Sequence, residues 1–98
     1  MTINKTAEGG RLIVALEGRL DTVTAPQLDE ALNSSLDGVT ELVLDLEHLA
    51  YLSSAGLRSI LAAQKRMNRQ GIMVVRHVCG AILEVFEMTG FTDILTIE

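Results

Sequence analysis

The sequence is poor in the residues that form disulfides, kinks and aromatic clusters. Its 98 residues include one cysteine, one proline, no tryptophan, one tyrosine and two phenylalanines. With Cys79 alone, neither a disulfide within the chain nor a zinc site built from several cysteines can form. The longest apolar runs reach about five residues, whereas a membrane-spanning helix needs about 20. The first residues carry no apolar signal region, so we expect a cytoplasmic protein.

The charge balance is acidic and excludes two common classes of partner. Eight Lys and Arg stand against 13 Asp and Glu, which gives a formal net charge of −5. A protein with a negative net charge is not attracted to phosphate backbones or to anionic lipids. The few aromatic side chains also offer little surface on which bases could stack. Neither nucleic acid nor a membrane surface is expected to bind this chain.

The hydrophobic pattern predicts one α/β domain that covers residues 1–98. No linker, repeat or low-complexity tract divides the chain, and its length suits a single core. Gly9-Gly10 favours a tight hairpin between the first two strands. Thr24 to Gln27 fits a capping box, in which the Thr24 hydroxyl caps a helix that ends at Leu36. The predicted strands are 2–8, 12–16, 42–46, 72–75 and 94–97; two further helices run from the Ser53-Ser54 pair to 68–71 and over 81–88.

This order of elements predicts a mixed sheet with a parallel centre, an antiparallel N-terminal hairpin and three to four helices. The nearly continuous apolar run Leu42 to Leu46 is typical of a central strand covered on both faces. Gly90 suits a left-handed turn after the third helix, and Phe91 is expected to fold back onto Phe86.

The strongest local signal is a buried strand that ends near Leu46, a loop over 47–52, and the pair Ser53-Ser54 at the start of a helix. Ligand sites of α/β sheets gather beyond the carboxyl ends of parallel strands. A helix N-terminus also favours negative charge, so a serine there could carry a phosphate. Serine is equally a good N-cap, and from this pattern alone the pair could be nothing more than a cap.

Four segments, in this order and at this spacing, resemble the landmarks of the STAS domain of bacterial anti-sigma factor antagonists. The likeness runs over essentially the whole chain and implies a single STAS-like domain. The segments are Gly18-Arg19-Leu20-Asp21-Thr22-Val23-Thr24-Ala25, Leu42-Val43-Leu44-Asp45-Leu46, Tyr51-Leu52-Ser53-Ser54-Ala55-Gly56-Leu57-Arg58 and Thr89-Gly90-Phe91.

The resemblance implies a binding module that catalyses nothing and needs no cofactor. In that family the serine two positions before the Gly-Leu pair is phosphorylated, which places the role on Ser54. The partner would be both an anti-sigma factor and a serine kinase. The unphosphorylated protein would bind it and free a sigma factor, phosphorylation would dissociate the complex, and a PP2C-type phosphatase would restore it.

The resemblance also assigns supporting residues. Many members carry Asp where this chain has Ser53, which leaves Ser53 as an alternative acceptor. Asp21 matches an acidic residue near the acceptor serine, although a turn role is equally consistent with its position. Asp45 is expected to support the site through hydrogen bonds, since an ionised carboxylate is costly to bury unpaired. The predicted partner-binding residues are Asp21, Ser53, Ser54, Ala55, Gly56, Leu57 and Arg58.

Two other functions are consistent with the sequence. A STAS-like scaffold in a signalling or lipid-transport complex would need no phosphoserine cycle, and an enzyme or small-ligand binder could use the same helix N-terminus for an anion. No Gly-x-Ser-x-Gly elbow surrounds the serine pair. His77 and Cys79 do not complete a four-ligand zinc site, so no metal is expected. The sequence does not define the oligomeric state.

Overall fold

The computed structural model describes all residues, 1–98, and its centre is a four-stranded sheet. The strands are β1 (Thr2–Glu8), β2 (Arg11–Leu20), β3 (Glu41–Leu52) and β4 (Ile72–Arg76), and they lie in the order β1-β2-β3-β4. β1 and β2 pair antiparallel, whereas β2, β3 and β4 pair parallel. The predicted mixed sheet with a parallel centre and an antiparallel N-terminal hairpin is confirmed.

Three α-helices connect or follow the strands: α1 (Ala25–Asn33), α2 (Ser54–Gln70) and α3 (Gly80–Thr89). α3 ends at Gly90, whose φ of 79° is the left-handed conformation that the sequence predicted. Beyond it, the ring of Phe91 stacks on that of Phe86 at 6.4 Å between centroids, as expected. None of these helices combines the length and the apolar character that a membrane span needs.

One hydrophobic core joins all three helices to one face of the sheet. Side chains alternate between faces along a strand, and the core takes the even-numbered residues from Leu12 to Leu16 and from Leu42 to Leu46. Val43 and Val74 are buried but lie outside this cluster, on the opposite face. The burial of β3 expected on both faces is met on this second face at Val43, which is 2% exposed, although the three helices pack on the first face. The Nε atoms of Arg11 and Arg76, which share the second face, are buried.

The predicted last strand is reduced to a single bridge. Ile97 pairs with Val75 in parallel, and the backbone N–H of Val75 donates to the Thr96 carbonyl oxygen at 2.9 Å. The residues directly after α3 form a 3₁₀ turn over Phe91–Asp93. The backbone hydrogen bonds to β4 are therefore made by Thr96 and Glu98, near the end of the chain.

β3 is longer than the sequence predicted, because the segment 47–52 continues the strand. Two register shifts between β2 and β3 make this possible. Relative to β2, β3 contains one extra residue between Asp45 and His48 and another between Leu49 and Tyr51. These bulges bring Leu46, Leu49 and Leu52 to the core at a spacing of three residues. β3 therefore ends at Leu52, directly before Ser53 and Ser54.

Candidate functional site

The serine pair lies where the carboxyl ends of β2 and β3 meet. Leu20, the last residue of β2, is paired with Leu52, the last residue of β3. The backbone N–H of Ser53 donates to the carbonyl oxygen of Leu20 at 2.9 Å. Because both strands run in the same direction, α1 and α2 both begin at this edge. Two helix N-termini with their positive dipole ends therefore face the same region.

Ser53 and Ser54 have different structural roles. Ser53 is the N-cap of α2: its backbone is extended, and its hydroxyl oxygen accepts a long hydrogen bond of 3.4 Å from the Gly56 N–H. Its carbonyl oxygen accepts from the Leu57 N–H at 2.9 Å. Ser54, the first helical residue, is exposed, and its hydroxyl has no hydrogen-bond partner in the chain. The cap and the free hydroxyl thus belong to different serines.

Gly56 lets the first turn of α2 pack tightly against the strand ends. A Cβ at this position would lie 2.7 Å from side-chain carbons of both Leu20 and Leu52, and 3.0 Å from the Leu20 carbonyl oxygen. Gly56 and Leu57 are buried, so these two predicted partner-binding residues lie beneath the surface that a partner could touch. Ala55 is half-buried, while Arg58 is exposed one turn after Ser54.

Asp21 shapes the loop that leads into α1. Its Oδ1 accepts hydrogen bonds from the backbone N–H of Val23 at 3.0 Å and of Thr24 at 3.1 Å. Arg19 Nε lies 3.7 Å from its Oδ2. The hydrogen bond from the Thr24 N–H, with help from that of Val23 and from the Arg19 charge, lowers the pKa of Asp21 below its usual value. The carboxylate is ionised and engaged within its own loop.

The predicted capping box at Thr24 is wrong. The Thr24 side chain makes no cap hydrogen bond to α1. Its hydroxyl accepts from the Asp21 N–H at 2.8 Å and donates to the Arg19 carbonyl oxygen at 2.7 Å. The Gln27 N–H, which a capping hydroxyl at Thr24 would bind, donates instead to the Thr24 carbonyl oxygen at 2.9 Å. The Thr24 hydroxyl ties the loop back to β2.

Two residues at this edge were missed by the sequence analysis. Val23 is 78% exposed, and the ring of Tyr51 is covered by Arg19, whose guanidinium carbon lies 4.1 Å from the ring centroid. Arg19 and Tyr51 are direct partners in the β2–β3 ladder. Exposed apolar residues are common singly, so what distinguishes Val23 is its position on the loop after Leu20, the residue whose carbonyl oxygen binds the Ser53 N–H. That position depends on the tertiary fold.

The structure does not bring Asp45 to Ser54. Seven residues of β3 separate Asp45 from Ser53, a path of more than ~20 Å along the strand. Asp45 instead accepts from the Glu47 N–H at 3.1 Å and contacts His77 Nδ1 at 3.0 Å. Its partial burial acts to raise its pKa, but these hydrogen bonds and the nearby charges of His77 and Arg76 outweigh that effect and lower it. The predicted support of the serine by Asp45 is therefore not direct.

Asp45, Glu47 and His77 form the one group of three side chains that brings possible metal-ligand atoms close together. Their donor atoms lie within 4.8 Å of one another. Asp45 is already hydrogen-bonded, and Arg76 Nε lies 3.9 Å from its Oδ2, so a cation would compete with a guanidinium. Cys79, exposed on the chain after β4, does not join the group.

A shallow groove of about 500 Å³ runs between α1 and α2. Thr22 and Ala55 belong to its lining, so it reaches the edge that carries the serine pair. Arg58 and Arg66 line it from α2, and Asp29 from α1. The groove thus extends the exposed surface around Ser54 along both helices.

Comparisons with known proteins agree with this geometry. A family model for the STAS domain matches residues 2–98. BtrV of Bordetella bronchiseptica, described as an anti-sigma factor antagonist, is 39% identical over 90 residues, which are 90% of this chain and 78% of that protein. A solved anti-sigma factor antagonist from Mycobacterium paratuberculosis is 26% identical, with a TM-score of 0.89 over 98% of this chain and 83% of its own.

A more distant structure shares the fold. The Bacillus cell fate determinant SpoIIAA, solved in its phosphorylated form, is 16% identical and has a TM-score of 0.78. The match covers 99% of this chain and 91% of that one. At this identity the likeness shows the arrangement of strands and helices alone.

Proposed function

Because this chain belongs to the STAS domain family, we propose that it is an anti-sigma factor antagonist whose binding is switched by phosphorylation of Ser54. In its unphosphorylated form it binds an anti-sigma factor that is also a serine kinase, and so releases a sigma factor. A PP2C-type phosphatase resets the switch. The protein itself performs no catalysis, requires no cofactor and acts in the cytoplasm, where sigma factors work.

The exposure of the Ser54 hydroxyl is the observation that carries this proposal. A kinase must reach the hydroxyl that it phosphorylates, and Ser54 is exposed without an internal hydrogen bond. Ser53 is half-buried, and its hydroxyl, carbonyl and N–H groups are all engaged. Of the two candidate acceptors, the geometry favours Ser54.

The electrostatics of this edge suit a reversible switch. A phosphoserine carries about −1.5 to −2 charges, and at the first turn of a helix that charge is stabilised by the helix dipole. Arg58, one turn later and exposed, can contribute further attraction. The modified protein is thus expected to stay folded. A partner packed on Ser54 would have to desolvate the dianion beside the ionised Asp21, which disfavours the complex.

Relatives support the same conclusion. BtrV is an anti-sigma factor antagonist by description and shares 39% of its residues with this chain over the matched region. SpoIIAA shows that a protein of this fold accommodates a phosphate. We extend the partner-binding role to the surface formed by Asp21 and residues 53–58, with Gly56 and Leu57 supporting it from below.

The test is the intact mass of the protein after incubation with ATP and candidate anti-sigma factor kinases from the same organism. One phosphoryl group adds about 80 Da, and mapping of the peptide 47–58 should place it on Ser54. Ser54→Ala should gain no mass, whereas Ser53→Ala should still be modified. An unchanged gain in Ser54→Ala would move the acceptor to Ser53. No gain with a kinase that is active on another substrate would overturn the switch and favour the scaffold function.

A further inference from the structure

The loop Asp21 to Thr24 follows Leu20, whose carbonyl oxygen binds the N–H of Ser53, and it presents one exposed apolar side chain, that of Val23. The Asp21 carboxylate accepts two backbone N–H groups of this loop and holds it in shape. We propose that Asp21 acts on the partner indirectly, as a positioning residue, and that Val23 is the side chain that contacts the partner. This inference rests on the proposed function, since the partner is the anti-sigma factor kinase. It assigns a docking contact to Val23, which neither the sequence motif nor the family resemblance singled out.

Asp21 is poorly placed to contact a partner with its charge. Oδ1 is occupied by the backbone N–H groups of Val23 and Thr24 at 3.0 and 3.1 Å. Oδ2 faces Arg19 Nε at 3.7 Å, and the side chain is only 28% exposed. A contact that drew the carboxylate outward would release two N–H groups that the helix does not use. The carboxylate therefore serves its own loop.

The backbone around Val23 is fixed from both sides. Besides the two bonds to Asp21 Oδ1, the Ala25 N–H donates to the Asp21 carbonyl oxygen at 2.8 Å. Thr24 Oγ1 accepts from the Asp21 N–H at 2.8 Å and donates to the Arg19 carbonyl oxygen at 2.7 Å. A side chain on such a loop loses little conformational freedom when a partner covers it. Preorganisation of this kind is favourable for a contact residue.

Val23 combines that rigidity with exposed apolar surface. It is 78% exposed, and its branched side chain has few rotamers to lose. Two of the five large exposed apolar side chains lie near the carboxyl ends of β2 and β3: Tyr51 is the last residue but one of β3, and Val23 lies three residues beyond the end of β2. The partner that fits this surface has a small apolar pocket next to the place where it receives the serine hydroxyl.

The experiment compares four variants for binding to the kinase that phosphorylates the wild-type chain, with ADP present so that no transfer occurs. Val23→Ser should weaken binding roughly tenfold, as expected for the loss of an apolar contact. Met88→Ser is the matched control, because Met88 is 80% exposed on the last turn of α3, away from the serine edge. It should bind like the wild type.

The Asp21 variants separate positioning from direct contact. Asn keeps an oxygen that accepts the two loop N–H groups, so Asp21→Asn should bind within about threefold of the wild type. Asp21→Ala should lose roughly tenfold. In the unbound proteins, amide hydrogen exchange at Val23 and Thr24 should be slow in the wild type and in Asp21→Asn, and fast in Asp21→Ala.

Each failure has a distinct signature. Equal binding of Val23→Ser and the wild type would overturn the docking contact while leaving the proposed function standing. A loss in Asp21→Asn as large as that in Asp21→Ala would show that the charge itself contacts the partner. Unchanged amide exchange in Asp21→Ala would overturn the positioning role. If the wild-type chain bound no anti-sigma factor kinase at all, the proposed function and this inference would fall together.

Discussion

The backbone N–H of Ser53 donates a hydrogen bond of 2.9 Å to the carbonyl oxygen of Leu20, and so fastens the start of α2 to the end of β2. This bond sets which of the two serines becomes the cap. With its N–H engaged by the strand, Ser53 remains extended and turns its hydroxyl toward Gly56. Ser54 is then the first residue with helical backbone, and its side chain points to solvent.

Substitution of each serine should therefore affect different properties. Ser53→Ala removes the cap and should lower the free energy of unfolding by about 1 kcal/mol. Ser54→Ala removes a free, exposed hydroxyl and should change it by less than about 0.5 kcal/mol. Urea unfolding of the two variants beside the wild type measures both values. A larger loss for Ser54→Ala than for Ser53→Ala would contradict the assigned cap.

Gly56 should not tolerate even one added methyl group. A Cβ there would meet Leu20 and Leu52 at 2.7 Å, so Gly56→Ala should push the first turn of α2 outward and cost about 1–3 kcal/mol. Gly80→Ala is the matched control, because that Cβ would have nothing within 4 Å at the first turn of α3. Thermal unfolding should separate the two variants; equal stability would show that the helix start adapts freely.

Phe86 should contribute much more to the stability of the protein than Phe91, although the two rings are stacked on each other. Phe86 is fully buried in the core, whereas Phe91 is half-buried against it. Phe86→Ala should cost about 3–5 kcal/mol, and Phe91→Ala clearly less. Chemical denaturation of both variants gives the comparison. A greater loss at Phe91 would mean that the segment after α3 contributes more to the core than its burial indicates.

Stability should fall in acid because the pKa values of Asp21 and Asp45 are lowered in the folded protein. In the unfolded chain both groups titrate near pH ~3.9. Their stabilising effect is therefore complete above about pH 5 and is lost as the pH falls through the unfolded-state value toward their lower, folded-state values. Urea unfolding at about pH 5, 4 and 3 should show this decline.

The double variant Asp21→Asn with Asp45→Asn should flatten that decline, since neither amide binds a proton in this range. An unchanged slope would assign the acid sensitivity to the other carboxylates.

Local patterns predicted the order of the elements well. The apolar spacing of Leu28 and Leu32, and of Leu57 and Ile60, follows the helical period whatever the tertiary context, and the structure places all four in the core. Gly90 and Phe91 were predictable for the same reason, because a left-handed turn and its apolar contact lie within a few residues of each other.

Features that depend on neighbouring strands were not predictable. Leu46, Leu49 and Leu52 recur at intervals of three, which does not match a strand until two bulges against β2 are known. The same limit applies to the site. The sequence placed a serine pair at a helix start, but the choice between cap and free hydroxyl depends on the Leu20 carbonyl. Asp45 lies on β3, the strand that leads to the serines, but too far from the carboxyl end of that strand to contact them.

The length of β2 has a practical consequence. Its ten residues run from the Gly9-Gly10 turn to the edge that carries Ser54, a separation of ~30 Å. Gly9 sits at the tip with a φ of 61°, and a Cβ there would touch nothing within 4 Å. A peptide tag or a fluorophore inserted at this hairpin would stand at the far pole of the molecule. It could immobilise or report on the protein while a partner occupies the opposite end.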